Sequence, residues 1–293
     1  MFIRRTNAMR LLALTLAFLA PAVLAGKPPA HDKRGDDLFH PTPREAMREL
    51  STDRPDKTES PFTVDAGHVQ IETDLAAFTY DRHNVERADR RVEAWSFAAT
   101  NVKLGLCSRA DLQIVIEPYA TVRTSDRASG ATTRQSGFGD LTVRTKINLW
   151  GNDGGTTACA VMPFVKLPTN QDGLGNRAVE GGIIVPLAVT LPGGWDLGLM
   201  TEVDFLENST GRGHHAEWVN TITLGHALTK RLDAYVEFFS AVTAERHQPW
   251  VGTFDVGFTF ALTDDIQLDC GANFGLTRSA DDVAPFVGLT WRF

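Results

Sequence analysis

A two-residue alternation of apolar and polar side chains recurs along most of this chain, and it limits the fold more than any other feature. Across 138–149, Leu141, Val143, Thr145, Ile147 and Leu149 share one face, while Asp140, Thr142, Arg144, Lys146 and Asn148 share the other. Across 266–277, Ile266, Leu268, Cys270, Ala272, Phe274 and Leu276 alternate with Gln267, Asp269, Gly271, Asn273, Gly275 and Thr277. Segments 251–262 and 69–80 repeat the pattern. Successive side chains of a strand point to opposite sides, so this alternation specifies strands with one apolar and one polar face. It predicts about twelve strands, near 67–80, 92–106, 111–124, 138–150, 156–167, 180–191, 194–207, 215–227, 231–243, 250–262, 265–277 and 285–293.

The connections alternate in length. Short turns are expected at 108–110, 151–155, 192–194, 228–230 and 263–265, and longer polar loops at 81–91, 124–137, 168–179, 207–214, 243–249 and 278–284. Two architectures use alternating strands. In a soluble sandwich the apolar face is the core. In a membrane barrel it faces lipid, and the sheet must close because lipid satisfies no backbone hydrogen bond. Strands longer than the usual ~5–6 residues favour the barrel. So does the last strand, which puts Val287, Leu289, Trp291 and Phe293 on one face. The sequence therefore predicts an all-β fold, a transmembrane antiparallel meander β-barrel of about twelve strands over residues 65–293. Its last strand pairs with its first, and both barrel ends lie on the short-turn, periplasmic side. Only three tyrosines are available for interfacial girdles, but six tryptophans near strand ends and bodies can serve there.

Composition removes other classes. The mean hydropathy of −0.15 resembles that of a soluble protein, yet a barrel has the same average because only alternate residues meet lipid. Three cysteines, Cys107, Cys159 and Cys270, make no closed disulfide framework. A net charge of −7 disfavours nucleic acid as a partner.

Residues 1–25 read as a cleaved secretory signal peptide. Arg4, Arg5 and Arg10 precede the apolar run 11–20, and Val23-Leu24-Ala25 offers the cleavage site. The run is about half of the ~20 residues a spanning helix needs. Cleavage leaves 36 acidic and 26 basic residues, a net −10. Residues 26–64 are polar and broken by prolines, an irregular N-terminal segment that is periplasmic or plug-like.

Thr52-Asp53-Arg54-Pro55-Asp56-Lys57-Thr58-Glu59-Ser60-Pro61-Phe62-Thr63, followed by Gly67-His68-Val69-Gln70-Ile71-Glu72, is a distinctive string. It resembles the opening of a bacterial outer-membrane barrel family tied to the phenol meta-cleavage degradation pathway, whose members are called transporters. Further matches are Gly137–Lys146, Val165–Thr169, Ala234–Glu237 and Phe286–Phe293, so the resemblance spans residues 51–293. It implies passage of hydrophobic or aromatic compounds and transfers no catalytic residues.

The polar faces give the expected channel lining. Glu72, Asp74, Glu117, Glu202, Asp204, Glu237, Asp255 and Asp269 supply negative charge, and Arg123, Arg144, Lys146, Lys166 and Arg292 positive charge. Tyr119 joins this lining, with Phe78, Tyr80, Met162, Phe164 and Phe239 as inward apolar candidates. Opposed charges across a lumen set up a transverse field, or they pair and close it. A lumen of ~8 strands is filled and one of ~16–18 is open, so twelve allows either. Asp53, Arg54, Asp56 and Lys57 are the plug candidates, with the Arg54 fork able to bridge lumen carboxylates. Trp291 and Phe293 form a terminal aromatic assembly signal for the barrel-assembly machinery.

The functional expectation is an exported outer-membrane channel in contact with lipid, passing small hydrophobic or aromatic solutes by passive diffusion without a cofactor. The alternatives are a blocked barrel with a binding or structural role, and a lipid hydrolase. Catalysis is not expected, because His214-His215 has only Ser209 nearby and no strand carries a serine and a histidine at catalytic spacing. No metal site is expected either, because the histidines are scattered.

Overall fold

Twelve antiparallel strands in chain order make the wall. We label them β1 (Val69–Asn84), β2 (Arg90–Phe97 continuing as Ala99–Cys107), β3 (Ala110–Ile116 continuing as Tyr119–Ser125) and β4 (Thr132–Gly137 continuing as Leu141–Trp150). The remainder are β5 (Thr157–Leu167), β6 (Glu180–Leu191), β7 (Trp195–Glu207), β8 (His214–Ala227), β9 (Leu232–Thr243), β10 (Val251–Thr263), β11 (Ile266–Gly275) and β12 (Val283–Arg292). Each pairs with its chain neighbours, and β12 returns to β1 from Gln70↔Arg292 to Tyr80↔Val283. Closure removes both sheet edges, so no strand is left with an unpaired row of backbone groups. The computed structural model describes residues 31–85, 87–246 and 248–293. The expected signal peptide lies outside them.

The side-chain distribution is inverted relative to a soluble protein. The largest fully buried side chains include Lys103, Lys146, Gln70, Gln113, Glu72, Glu237, Asp111 and Asp255. The exposed ones include Ile147, Leu149, Val165, Ile183, Phe205, Ile222, Phe238, Phe254, Phe258, Phe260, Phe274 and Val287. A soluble monomer rarely exposes more than a few hundred Å² of contiguous apolar surface, so a belt around the whole wall marks the lipid face. Trp150, Trp195 and Trp291 are exposed at the short-turn end, and Trp218 and Trp250 near the long-loop end. Tryptophan thus takes girdle positions at both rims.

The first four strands carry a line of irregularities. On β1 the register shifts between Asp74 and Ala76. On β2, Ala98 has φ of 57°, a left-handed conformation uncommon for a residue with a side chain. β3 breaks at Glu117-Pro118, where proline can donate no ladder bond, and β4 breaks at 138–140. Pairing of β2 with β3 stops at Thr100↔Ile116 and resumes at Phe97↔Tyr119. Pairing of β3 with β4 stops at Val115↔Thr142 and resumes at Ala120↔Gly137. Across each break the inward and outward parities exchange.

That exchange corrects part of the expected lining. Tyr119 and Arg123 face outward. Tyr119 lies beside Phe97 in a column of rings, Phe78–Trp95–Phe97–Tyr119, with centroids 4.6, 5.8 and 6.4 Å apart. Arg123 pairs with Glu93 at 3.7 Å on the same outer side. Phe78 and Tyr80 turn outward for the same reason, because the register shift on β1 leaves Asp81 as the buried residue.

Candidate functional site: the filled lumen

Residues 32–293 form one compact unit, with the segment before β1 running up the inside of the barrel and back. Its lower part is fixed at the short-turn rim. The Thr42 amide donates to the Ala66 carbonyl at 3.0 Å, and the Arg48 guanidinium donates to the Ser108 carbonyl at 2.7 Å. Gly67 and Gly105 permit the close approach. A Cβ at Gly105 would stand 2.6 Å from the Asp65 carbonyl carbon, and one at Gly67, where φ is 76°, would stand 2.5 Å from Pro41 Cβ.

Higher in the lumen the segment meets charged wall residues. The Asp53 carboxylate lies 2.5 Å from both Lys103 Nζ and Lys146 Nζ, and Lys103 also holds Glu72. The two lysines are 2% and 0% exposed. Buried ammonium groups are costly unless paired, so Asp53 supplies what the wall lacks. Arg54 forks onto Asp269 at 2.7 and 3.2 Å and reaches Asp74 at 2.7 Å, the bidentate geometry that makes guanidinium–carboxylate pairs strong. Lys57 Nζ sits 3.0 Å from Asp255 and 4.5 Å over the Phe239 ring. The amides of Lys57 and Thr58 donate to Glu237 at 2.9 and 2.8 Å. Glu59 pairs with Arg144, which also donates to Gln113 at 2.6 Å.

Charge balance in this segment shifts its own titrations. Burial works against ionised Asp53, but Lys103, Lys146 and Arg144 outweigh it and hold the carboxyl well below the usual range. Burial beside Glu237 pushes Asp56 well above it, with Thr223 as its hydrogen-bond partner. Burial also raises Glu59, to about 7, and Arg144 only partly offsets this.

The structure therefore brings Glu72, Asp74, Arg144, Lys146, Glu237, Asp255 and Asp269 together with Asp53, Arg54, Asp56 and Lys57 in the lower lumen. Arg292 also faces inward and donates to Asp265 and to the Arg48 carbonyl. Glu117 sits at the strand break, its carbonyl accepting from the Gly139 amide at 2.9 Å. Lys166 faces the upper lumen near Asp140 at 3.7 Å and Asn176 at 3.3 Å. Glu202 and Asp204 face inward higher on β7. The Trp291 and Phe293 rings lie 5.0 Å apart, tilted by 55°, at the short-turn end. The sequence reading missed Lys103, Gln70, Gln113, Thr58 and Glu59 as contributors. Lys103 was visible, since it alternates with Val102 and Leu104.

Above the segment lies an apolar belt inside the barrel. Met162, Ile184, Met200, Val219 and Ala241 are buried together, with Phe164, Phe239 and Val251 packed on them. Their parity is inward: Met162 opposes Ile184, and Val219 opposes Ala241. The Glu59 amide reaches Met200 Sδ at 3.4 Å, so the tip of the segment touches the belt.

In the outer loops, Ser209 donates to Glu245 at 2.7 Å, while His214 and His215 bond the Val179 carbonyl and Asn208. Among the described residues no three His, Cys, Asp or Glu side chains converge as metal ligands. Cys107, Cys159 and Cys270 are free thiols.

A closed twelve-stranded barrel with a polar, segment-filled interior defines an outer-membrane type of protein. The chain belongs to the family described as "Putative MetA-pathway of phenol degradation", whose model matches residues 52–293. Among solved structures it is similar to the COG4313 outer membrane channel from Pseudomonas putida F1, at 13% identity and TM-score 0.60, covering 83% of this chain and 100% of that one. It also matches the translocator domain of the autotransporter NalP from Neisseria meningitidis, at 10% identity and TM-score 0.47, covering 77% and 88%. No curated protein matches the sequence.

Proposed function

We propose that the protein is an outer-membrane channel that passes small hydrophobic, chiefly aromatic, solutes by passive diffusion. The apolar belt above the N-terminal segment carries this reading. Its half-buried members Phe164, Phe239 and Val251 leave apolar surface that a hydrophobic solute would bury. The family description and the fold of the Pseudomonas channel support it. The route runs from the long-loop mouth to the belt. Below the belt the segment closes the straight path, so the solute leaves sideways where the ladders of β2, β3 and β4 are interrupted, beside the ring column on the outer face. The protein reaches its place through a cleaved signal at 1–25, assembles through the barrel-assembly machinery and sits in outer-membrane lipid. No cofactor takes part.

The test is uptake of a labelled monoaromatic hydrocarbon by a porin-deficient host expressing the full chain. Uptake several-fold above the empty host is expected, with loss in Ile184→Asn shown to fold by heat-modifiable gel migration. Uptake equal to that of the empty host refutes the channel. The ion pairs that bind the segment favour a second reading, a blocked barrel with a binding or structural role. Absent uptake together with closed single-channel traces would select it.

A further inference from the structure

Glu202 and Asp204 stand two residues apart on the lumen face of β7, above the N-terminal segment, and their carboxyl groups lie within hydrogen-bonding reach of each other. Neither has a basic partner among the described residues. The nearby bases are committed elsewhere: Arg144 to Glu59 and Asp53, Lys166 to Asp140 and Asn176, and Lys57 to Asp255. Asp204 is only 9% exposed, and its Oδ1 has no hydrogen-bond donor.

That oxygen leans over Gly182 of β6. The glycine leaves a notch facing the lumen, and the Phe164 ring edge borders it, 2.9 Å from where a Cβ would stand. The cross-strand neighbours of Glu202 are Ile184 and Val219, both in the apolar belt. An acid pair is thus set into a greasy wall. Two carboxyl groups in contact cannot both ionise without strong repulsion in low-dielectric surroundings, so the pair holds a shared proton that a cation can displace. A cation taking the place of that proton neutralises the pair, and an anion adds to its repulsion. Phe164, a half-buried member of the belt beside the notch, offers the matching surface for an apolar body.

We propose that this wall binds solutes with an aromatic body and a single ammonium head, an arylalkylamine class, in preference to aromatic carboxylates. The inference rests on the channel reading only in that the lumen must be open from the outside. The test is ¹⁹F NMR line broadening of 4-fluorobenzylammonium and of 4-fluorobenzoate by the full chain in detergent, with empty micelles as the blank. The cation is expected to bind at least about tenfold tighter than the anion. Glu202→Gln, at a half-buried position and checked for heat-modifiable migration, is expected to weaken cation binding about tenfold, the loss of one charge-assisted contact. Adding Asp204→Asn is expected to erase the preference, and Glu202→Gln alone decides if the double variant does not fold. Equal binding of the two probes, or no change in Glu202→Gln, overturns the inference. Aromatic uptake by the same chain separates the two readings. Cation preference without uptake refutes the channel alone, and uptake without cation preference refutes this inference alone.

Discussion

Asp53 and Glu59 belong to one short stretch of the lumen segment and titrate in opposite directions. Burial raises Glu59 to about 7 from an ordinary value of 4.5, with Arg144 pulling it down and Asp53 pushing it up. A carboxyl whose value is higher in the folded state takes up a proton on folding, so its stabilisation is full below about 4.5 and is lost as pH rises through about 7. Asp53 is the reverse case. Its value lies well below normal, so its stabilisation is constant through neutral pH and lost only under acid. The barrel is therefore expected to have a lower urea midpoint at pH 8 than at pH 5.5, and Glu59→Gln is expected to shrink that difference. An unchanged difference in the variant contradicts the assignment to Glu59. The cluster Asp53-Arg54-Pro55-Asp56-Lys57 was legible as a plug candidate because charges and prolines crowd just before β1. Which lumen charges it meets was not, because Lys103 and Asp269 are far apart along the chain and only closure of the sheet brings them near.

Strand identity was legible because alternation is a local property, and all twelve expected strands correspond to observed ones. Side-chain direction was legible only where a strand is uninterrupted. On β5 to β12 the parity holds, and Met162, Phe164 and Phe239 face inward as expected. On the first four strands one extra or irregular residue flips everything beyond it. Pro118 and Gly139 hint at such breaks, but nothing in the sequence marks Ala98. A second element-scale feature is the contact of β2 with the lumen segment. At Gly105 a side chain would meet the Asp65 carbonyl carbon at 2.6 Å and the Val64 carbonyl oxygen at 2.8 Å. Gly105→Val must displace that backbone, at a cost of about 1–3 kcal/mol typical of overpacking. The folded, heat-modifiable variant is expected to be cut by trypsin at Arg48 or Lys57 several-fold faster than the unmodified chain. Equal resistance would mean that the upper ion pairs hold the segment without its lower seat.

At the scale of the whole barrel, the backbone and the side chain of Phe293 sit in different surroundings and can be tested apart. The backbone of Phe293 exchanges two hydrogen bonds with Val69, at 2.9 and 3.1 Å, and these complete the ring of strands at the short-turn rim. Its side chain takes no part in that closure; it lies outside, tilted against Trp291 and 43% exposed. Alanine at 293 keeps both backbone bonds, so Phe293→Ala is expected to refold from denaturant in detergent with normal heat-modifiable migration. If the aromatic pair is the signal read during assembly, the same variant is expected to reach the outer membrane of living cells at several-fold lower yield. Trp291→Ala is expected to do likewise, and restoring an aromatic as Phe293→Tyr is expected to recover the yield. Failure of Phe293→Ala to refold in detergent would make the ring a structural element of the rim, and normal cellular yield would remove the assembly role from it.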